Sequence, residues 1–280
     1  MFPSSFAYHR AASVADALAQ LDANEDAKIL AGGHSLIPAM KLRLAMPSML
    51  VDIGRIPDLK SLYVGDEIHI GAMATYNEIR DHEEIASLLP ILPQAIAVLG
   101  DQQVRARGTF GGAVAHADPA ADLPAVFAAL NGRVRVQGSA GEREIAADDL
   151  FVDLWTTSIE PNEILTEVII PIPESGTRMA YAKHPHPASG YAVVGVAAVV
   201  PMRDGTVHDA RILVTGATSK PTRSTAAEGA LNGSVLDADA IAQAVAVVAE
   251  GLDVNADTYA NVDFRSHLLR VMTKRALESA

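Results

Sequence analysis

The sequence predicts an α+β protein made of more than one packed unit. Three observations carry this expectation. A chain of 280 residues exceeds the usual size of a single compact core. Segments with strand alternation are interleaved with segments of helical spacing through the first half. The second half carries a long apolar run followed by two stretches of helical periodicity.

Taken in order, residues 13–23, SVADALAQLDA, open on a serine suited to cap a helix and place apolar residues at 14, 17, 18 and 21. Residues 27–43, AKILAGGHSLIPAMKLR, run from a buried strand through a glycine turn to His34, Ser35 and Pro38. Alternation returns in 49–56, MLVDIGRI, and in 67–75, EIHIGAMAT, which predicts two strands. Residues 76–100 have helical texture interrupted by Pro90 and Pro93. Prolines and a glycine cluster in 171–177, PIPESGT, and mark a junction. The apolar run 191–201, YAVVGVAAVVP, is broken by Gly195 and reads as a buried strand, one of two candidates within 190–215. Residues 237–252 and 263–279 are helical in spacing. No internal repeat or low-complexity segment is visible.

Composition removes several classes of function. Hydrophobic residues are 49% and charged residues 20% of the chain, as in a well-buried globular protein. No window approaches the ~18 apolar residues of a membrane-spanning helix, and the N-terminus MFPSSFAYHR lacks the pattern of a secretion signal, so a cytoplasmic location and no transmembrane segment are expected. The net charge is −12 and the basic residues form no stripe, which argues against a nucleic-acid partner. Cysteine is absent, which excludes disulfides, thiolate catalysis and an iron–sulfur cluster held by thiolates of this chain. Nine histidines occur, but none are paired at helical metal-ligand spacing, and 184–187, HPHP, cannot be helical.

Two segments invite closer reading. AGGHS at 31–35 and TFGGA at 109–113 each hold a glycine pair beside small or hydroxylated residues. Glycine tolerates positive φ and leaves the backbone bare, so successive amides can converge on an anion, with Ser35 and Thr109 as further donors. Either pair alone fits an ordinary tight turn; two together suit a pyrophosphate held from both sides. Neither segment is G-x-G-x-x-G or a P-loop, so another dinucleotide scheme is required.

The strings AGGHSLIPAMKLRLAMPSMLVDIGRI, IGAMATYNEI, VRARGTFGGAVAHADPAADLPAVFAAL and YAVVGVAA resemble, in this order and over nearly the whole chain, the FAD-binding medium subunit of molybdenum hydroxylases, including the carbon monoxide dehydrogenase medium chains and xanthine dehydrogenase FAD subunits. The resemblance implies a vanillyl-alcohol-oxidase (PCMH) type fold: two N-terminal α/β subdomains at 1–60 and 61–172 enclosing FAD, then a C-terminal domain at 177–280 with a small antiparallel sheet and helices. It implies an oxidoreductase subunit that passes electrons from iron–sulfur clusters to an external acceptor through FAD. The molybdenum cofactor and the two-iron clusters would reside on a molybdenum large subunit and an iron–sulfur small subunit, in a dimer of heterotrimers.

The same resemblance implies the site residues. Ala31, Gly32, Gly33, His34 and Ser35 match the first pyrophosphate loop, flanked by Ile29, Leu30 and Leu36. Thr109, Phe110, Gly111, Gly112 and Ala113 match the second, with Phe110 for the family's isoleucine and Ala113 for its asparagine; donation at 113 then falls to the backbone or water. Asp122 matches an acidic position directed at FAD, or serves as the N-cap of the helix beginning at LPAVFAAL. His116 and Asp118 lie in the Ala-His-Ala-Asp run and are near enough to pair, or merely position backbone. Arg105 and Arg107 match a family pair that can equally be solvated or ion-paired. Leu165 matches a position near the adenine, or is simple core. Lys183 matches a cofactor-contacting lysine, or is a surface charge. Tyr191 matches an aromatic covering one flavin face, or packs as a strand tyrosine. HPHPASG departs from the arginine-containing segment of relatives. A free-standing FAD oxidoreductase of the same fold remains the alternative, with His116 as its acid–base candidate, and a cofactor-free partner-binding subunit is a third reading.

Overall fold

A computed structural model describes all residues 1–280. The chain opens with β1 (Ala7–Arg10), α1 (Val14–Ala23), β2 (Ala27–Leu30), α2 (Leu36–Lys41) and β3 (Met49–Asp52), whose strands form a parallel sheet in the order β1-β3-β2. The Ser13 hydroxyl accepts the Asp16 N–H at 3.1 Å and starts α1, and the predicted apolar stripe turns Ala17, Leu18 and Leu21 inward against Val51 and Ile53.

A 3₁₀ turn at Pro57–Lys60 leads into β4 (Leu62–Val64) and β5 (Glu67–Gly71). Six short helices follow: α3 (Tyr76–Asp81), α4 (Glu83–Leu88), α5 (Ile91–Ala97), α6 (Gln102–Arg107), α7 (Phe110–His116) and α8 (Asp122–Ala129). Pro90 and Pro93 fall at the N-cap and first turn of α5, where a missing N–H leaves no bond unmade, so they divide the predicted helical region without destabilising it. The chain continues through β6 (Arg133–Gly138), β7 (Gly141–Ala146), α9 (Ala147–Leu150), the hairpin β8 (Phe151–Asp153) and β9 (Thr156–Thr157), and β10 (Ile164–Pro171). These strands build an antiparallel sheet ordered β4-β5-β10-β6-β7. Its outer face is laced by cross-strand ion pairs: Arg133 with Glu67 and Glu144, and Arg135 with Glu144 and Glu167. That accounts for the alternating charges of RVRVQG and GEREIA, since residues directly opposite on one face interact.

The last part holds β11 (Arg178–Pro185), β12 (Ala192–Val200), β13 (Met202–Arg203), β14 (Thr206–Val207), β15 (Arg211–Thr215), β16 (Thr222–Arg223), α10 (Thr225–Leu231), α11 (Ala238–Val247) and α12 (Val262–Ser279), around an antiparallel sheet ordered β11-β12-β15-β16. Strand β12 explains the longest apolar run. Val194, Val196, Ala198 and Val200 face the core beneath α12, while Ala197 and Val199 on the other face join the core of the middle sheet. A strand buried on both faces carries no polar alternation. No helix is long and apolar enough to cross a membrane.

Two expectations change here. The second glycine motif is not a loop but the start of α7, with Thr109 as N-cap and its hydroxyl accepting the Gly112 N–H at 3.2 Å. Phe110 lies in the core: it is 0% exposed and meets Phe127 edge to face at a centroid distance of 6.4 Å. We expect Phe110→Ala to lower the unfolding free energy by about 3–5 kcal/mol, through lost burial and the cavity left behind. Urea denaturation checks this, and a change under ~1 kcal/mol would be incompatible with the packing described.

Candidate functional site

The ends of β2 and β10, the segment 31–36, helix α7, the turn at 118–122, the β8–β9 hairpin and residues 189–191 enclose a cleft of about 670 Å³. Its shape depends on how closely the two glycine motifs meet. A Cβ on Gly32 would lie 2.2 Å from the Arg107 carbonyl oxygen and 3.1 Å from the Gly108 Cα, and one on Gly111 would lie 2.6 Å from the Ala72 Cα. These glycines are therefore bare because neighbouring backbone occupies the space, not because a ligand must. The contact at Gly32 joins the segment after β2 to the segment leading into α7 at the wall of the cleft.

The motifs differ in what they leave free. In the second, the Gly111 N–H donates to the Ala72 carbonyl at 3.1 Å, Gly112 to the Thr109 hydroxyl, and Ala113 to the Thr109 carbonyl at 3.0 Å. The backbone donation expected at Ala113 is thus spent inside α7. In the first, the N–H groups of Gly32, Gly33, His34, Ser35 and Leu36 donate to no acceptor of the protein, although all of these residues line the cleft. Gly33 adopts φ +78°, the conformation that turns successive amides toward one side. Ser35 precedes α2 with its hydroxyl making no cap bond and standing by the Tyr191 phenol. A run of unpaired amides would be costly if nothing satisfied them. An anionic group satisfies them, and a dinucleotide diphosphate fits both this chemistry and the size of the cleft.

Ile29, Ala31, Thr109, Gly111, Gly112, Ala113, His116, Asp118, Asp122, Leu165 and Tyr191 also line the cleft; Leu30, Phe110 and Lys183 do not. Leu30 instead packs near Gly33, its Cδ1 lying 3.2 Å from where a Gly33 Cβ would be. Lys183 is neither a surface charge nor a cleft residue. Its side chain is buried, and Nζ donates to Asp122 Oδ2 at 2.9 Å and to the Val98 carbonyl at 3.0 Å. Asp122 is the first residue of α8 and not its N-cap, which is Ala121. Its Oδ1 accepts the Tyr181 hydroxyl at 2.5 Å. Burial pushes the Asp122 carboxyl above the usual carboxylate range against the pull of Lys183 and Tyr181, and burial with the neighbouring Asp122 charge pushes the Tyr181 phenol far up. His116 and Asp118 do not pair: Asp118 Oδ1 accepts the Ala120 N–H at 2.8 Å. Arg105 donates to the Leu99 and Gly100 carbonyls and not to a carboxylate, and Arg107 makes no ion pair.

Tyr191 precedes β12 and is 41% exposed at the mouth of the cleft. Burial and then Asp118 raise its phenol, with the Ser35 hydroxyl opposing. Sequence reasoning missed Tyr76, Tyr181 and Trp155. Tyr181 was findable from Lys183, because residues two apart on a strand share a face. Gly195 completes that arrangement, since a Cβ there would sit 2.3 Å from the Tyr181 hydroxyl. Trp155 lies at the β8–β9 turn with φ +49° and lines the cleft; no local pattern signals that placement.

Removing Lys183 would leave a buried carboxylate unpaired. We expect Lys183→Met to cost about 3–5 kcal/mol at neutral pH. A carboxyl whose folded pKa is raised contributes stability below its unfolded pKa and loses it as pH rises through the folded value. The penalty should therefore shrink as pH falls toward 4, read by urea denaturation across pH, and a penalty that grows on acidification would contradict the assignment.

With this geometry in hand, comparison with known proteins is informative. Residues 4–173 match the family described as FAD binding domain in molybdopterin dehydrogenase, and residues 179–280 match the CO dehydrogenase flavoprotein C-terminal domain. The chain is 39% identical over 283 residues to a carbon monoxide dehydrogenase medium chain of Afipia carboxidovorans, covering 100% of this chain and 98% of that one. It is 38% identical over 274 residues to a nicotine 6-hydroxylase medium subunit of Paenarthrobacter nicotinovorans, covering 98% and 96%. It superimposes with a TM-score of 0.95 on reconstituted CO dehydrogenase from Oligotropha carboxidovorans, at 38% identity and with 100% and 99% of the two chains covered. The α+β architecture, the open amide run and these full-length matches agree: the chain belongs to the FAD-binding medium-subunit family of the molybdopterin dehydrogenases.

Proposed function

We propose that this chain binds FAD along the cleft and serves as the electron-transferring flavoprotein subunit of a molybdenum hydroxylase complex. The observation that carries the reading is the run of unpaired amides from Gly32 to Leu36, in a cleft whose other end presents Tyr191 and Asp118. The diphosphate is held by those amides and the Ser35 hydroxyl, with His34 beside them. Thr109, Gly112, Ala113 and His116 supply the facing wall, Ile29 and Leu165 pack apolar surface against the nucleotide, and Tyr191 covers the flavin ring and limits water. Asp122, its charge offset by Lys183 and its carboxyl hydrogen-bonded by Tyr181, closes the wall beside the ring. When bound, the flavin accepts electrons singly from an iron–sulfur centre and delivers them to a final acceptor.

The absence of cysteine means that such a centre belongs to another chain. The relatives are named medium chains or medium subunits, which supports a place beside an iron–sulfur small subunit and a molybdenum large subunit, in a cytoplasmic dimer of heterotrimers. A division into units at 1–60, 61–172 and 177–280 belongs to the same reading, supported by the three sheets of three or more strands.

Two measurements test the reading. The purified chain supplied with FAD should retain it and turn yellow; failure to retain flavin removes the central claim. Gly33→Val should weaken FAD binding by at least ~10-fold in a flavin fluorescence titration, because a β-branched residue resists φ +78° and the amides would turn away. Unchanged affinity would place the diphosphate elsewhere.

A further inference from the structure

The segment 186–191, HPASGY, carries Tyr191 to the mouth of the cleft and is closed on itself. The His186 N–H donates to the Tyr191 carbonyl at 2.7 Å and the Gly190 N–H to the His186 carbonyl at 2.8 Å. The His186 Nδ1 accepts the Ala188 N–H at 3.2 Å, and Ser189, Gly190 and Tyr191 all border the cleft.

The side of this strap nearer β12 is fixed by backbone contacts. Ala192 N–H donates to the Ala120 carbonyl at 3.1 Å, and the buried Arg265 of α12 donates to the carbonyls of Val193 and Gly216. The other side runs out of β11, whose His184 and Pro185 pair with Val194 and Ala192 of β12 across a register shift. His186 stands between Pro185 and Pro187, which carry no backbone N–H. Its imidazole instead rests on the Tyr259 ring, at a centroid distance of 4.4 Å and a tilt of 58°. Tyr259 is held in turn: Asp257 accepts its N–H and that of Ala260, each at 2.8 Å, and binds Arg265 through the other carboxylate oxygen. The bond from the Ala260 N–H first, then that from Tyr259 and the Arg265 charge, lower the Asp257 pKa, so the carboxylate that orders this loop stays ionised.

We propose that His186 is a positioning residue for the flavin site: its ring contact with Tyr259 seats the 186–191 strap and so sets how completely Tyr191 covers the flavin. The proposal rests on FAD occupying the cleft and adds the part of the chain that governs access to it. Arg265 serves both sides of the device, gripping the strand after Tyr191 and the loop that supports His186. An aromatic contact of this kind is worth a few-fold in population, so its loss opens the strap without unfolding the chain.

The test uses the full chain loaded with FAD and measures iodide quenching of flavin fluorescence, FAD content and melting temperature. Tyr191→Ala gives the uncovered reference. His186→Ala and Tyr259→Ala should each raise the quenching constant about two- to tenfold toward that reference, with FAD content and melting temperature held. The double variant should add little to either single one, and His186→Phe, which restores a ring, should return the constant to the wild-type value. Quenching that rises for Tyr191→Ala but not for His186→Ala overturns the strap and leaves the flavin site standing. Quenching unchanged by Tyr191→Ala in a flavin-loaded protein overturns the cover itself. A wild-type chain that takes up no FAD overturns the underlying reading, and the proposal with it.

Discussion

The arrangement depends on one close approach: the peptide at Gly32 lying against the Arg107–Gly108 peptide, where even a methyl group would overlap the carbonyl oxygen. That contact brings the parallel sheet against the segment leading into α7, while Gly111 on Ala72 seats α7 against the end of β5. With each motif backed by neighbouring backbone, the first is left with its amides unpaired at the cleft while the second is folded into a helix start. The cleft is the gap that two packed backbones cannot fill, and its polar character is that of peptide N–H groups. Such groups hold a diphosphate at fixed positions with no side-chain entropy to lose.

A protein of net charge −12 holding an anionic dinucleotide needs its attraction to be local. Long-range repulsion is screened within about 8 Å at physiological ionic strength, whereas unpaired amides such as those of residues 32–36 would act in direct contact. Two of the acidic groups lining the cleft are also engaged. Asp118 accepts a backbone N–H, and Asp122 is neutralised by Lys183 and Tyr181. Lys183 therefore acts one step away from the cleft: it makes the presence of Asp122 at the wall tolerable, since a buried carboxylate without its partner is far more costly than the pair.

The C-terminal sheet and helices contribute more than bulk. Strand β12 is shared between two cores, so the chain leading into it is immobilised from both faces. Thr215 donates to the Pro119 and Ala121 carbonyls, and Gly216 to Pro119, which ties the turn bearing Asp118 and Asp122 to the last sheet. The two sides of the flavin end, Tyr191 and the 118–122 turn, are consequently referenced to the same strands. Relatives of differing substrate, among them carbon monoxide dehydrogenase and nicotine 6-hydroxylase medium chains, match this chain over nearly its full length. That is the pattern expected when substrate choice lies outside the subunit.

The sequence by itself determined the elements whose causes are local. The Ser13 cap and the stripe at Ala17, Leu18 and Leu21 specify α1, prolines divide 76–100 into short helices, and an apolar run without alternation specifies the doubly buried β12. The glycine pairs, with the motifs around them, located both walls of the cleft. Only the tertiary structure decided what those glycines are for, because the space at Gly32 and Gly111 is taken by residues far away in the chain or across a strand end. It turned Phe110 into the core and Lys183 toward Asp122 and Val98, and placed Trp155 on the rim and Tyr259 beneath His186. Those outcomes rest on contacts between residues widely separated in sequence, and the direction of a side chain across such a contact is fixed by packing, which no local pattern encodes.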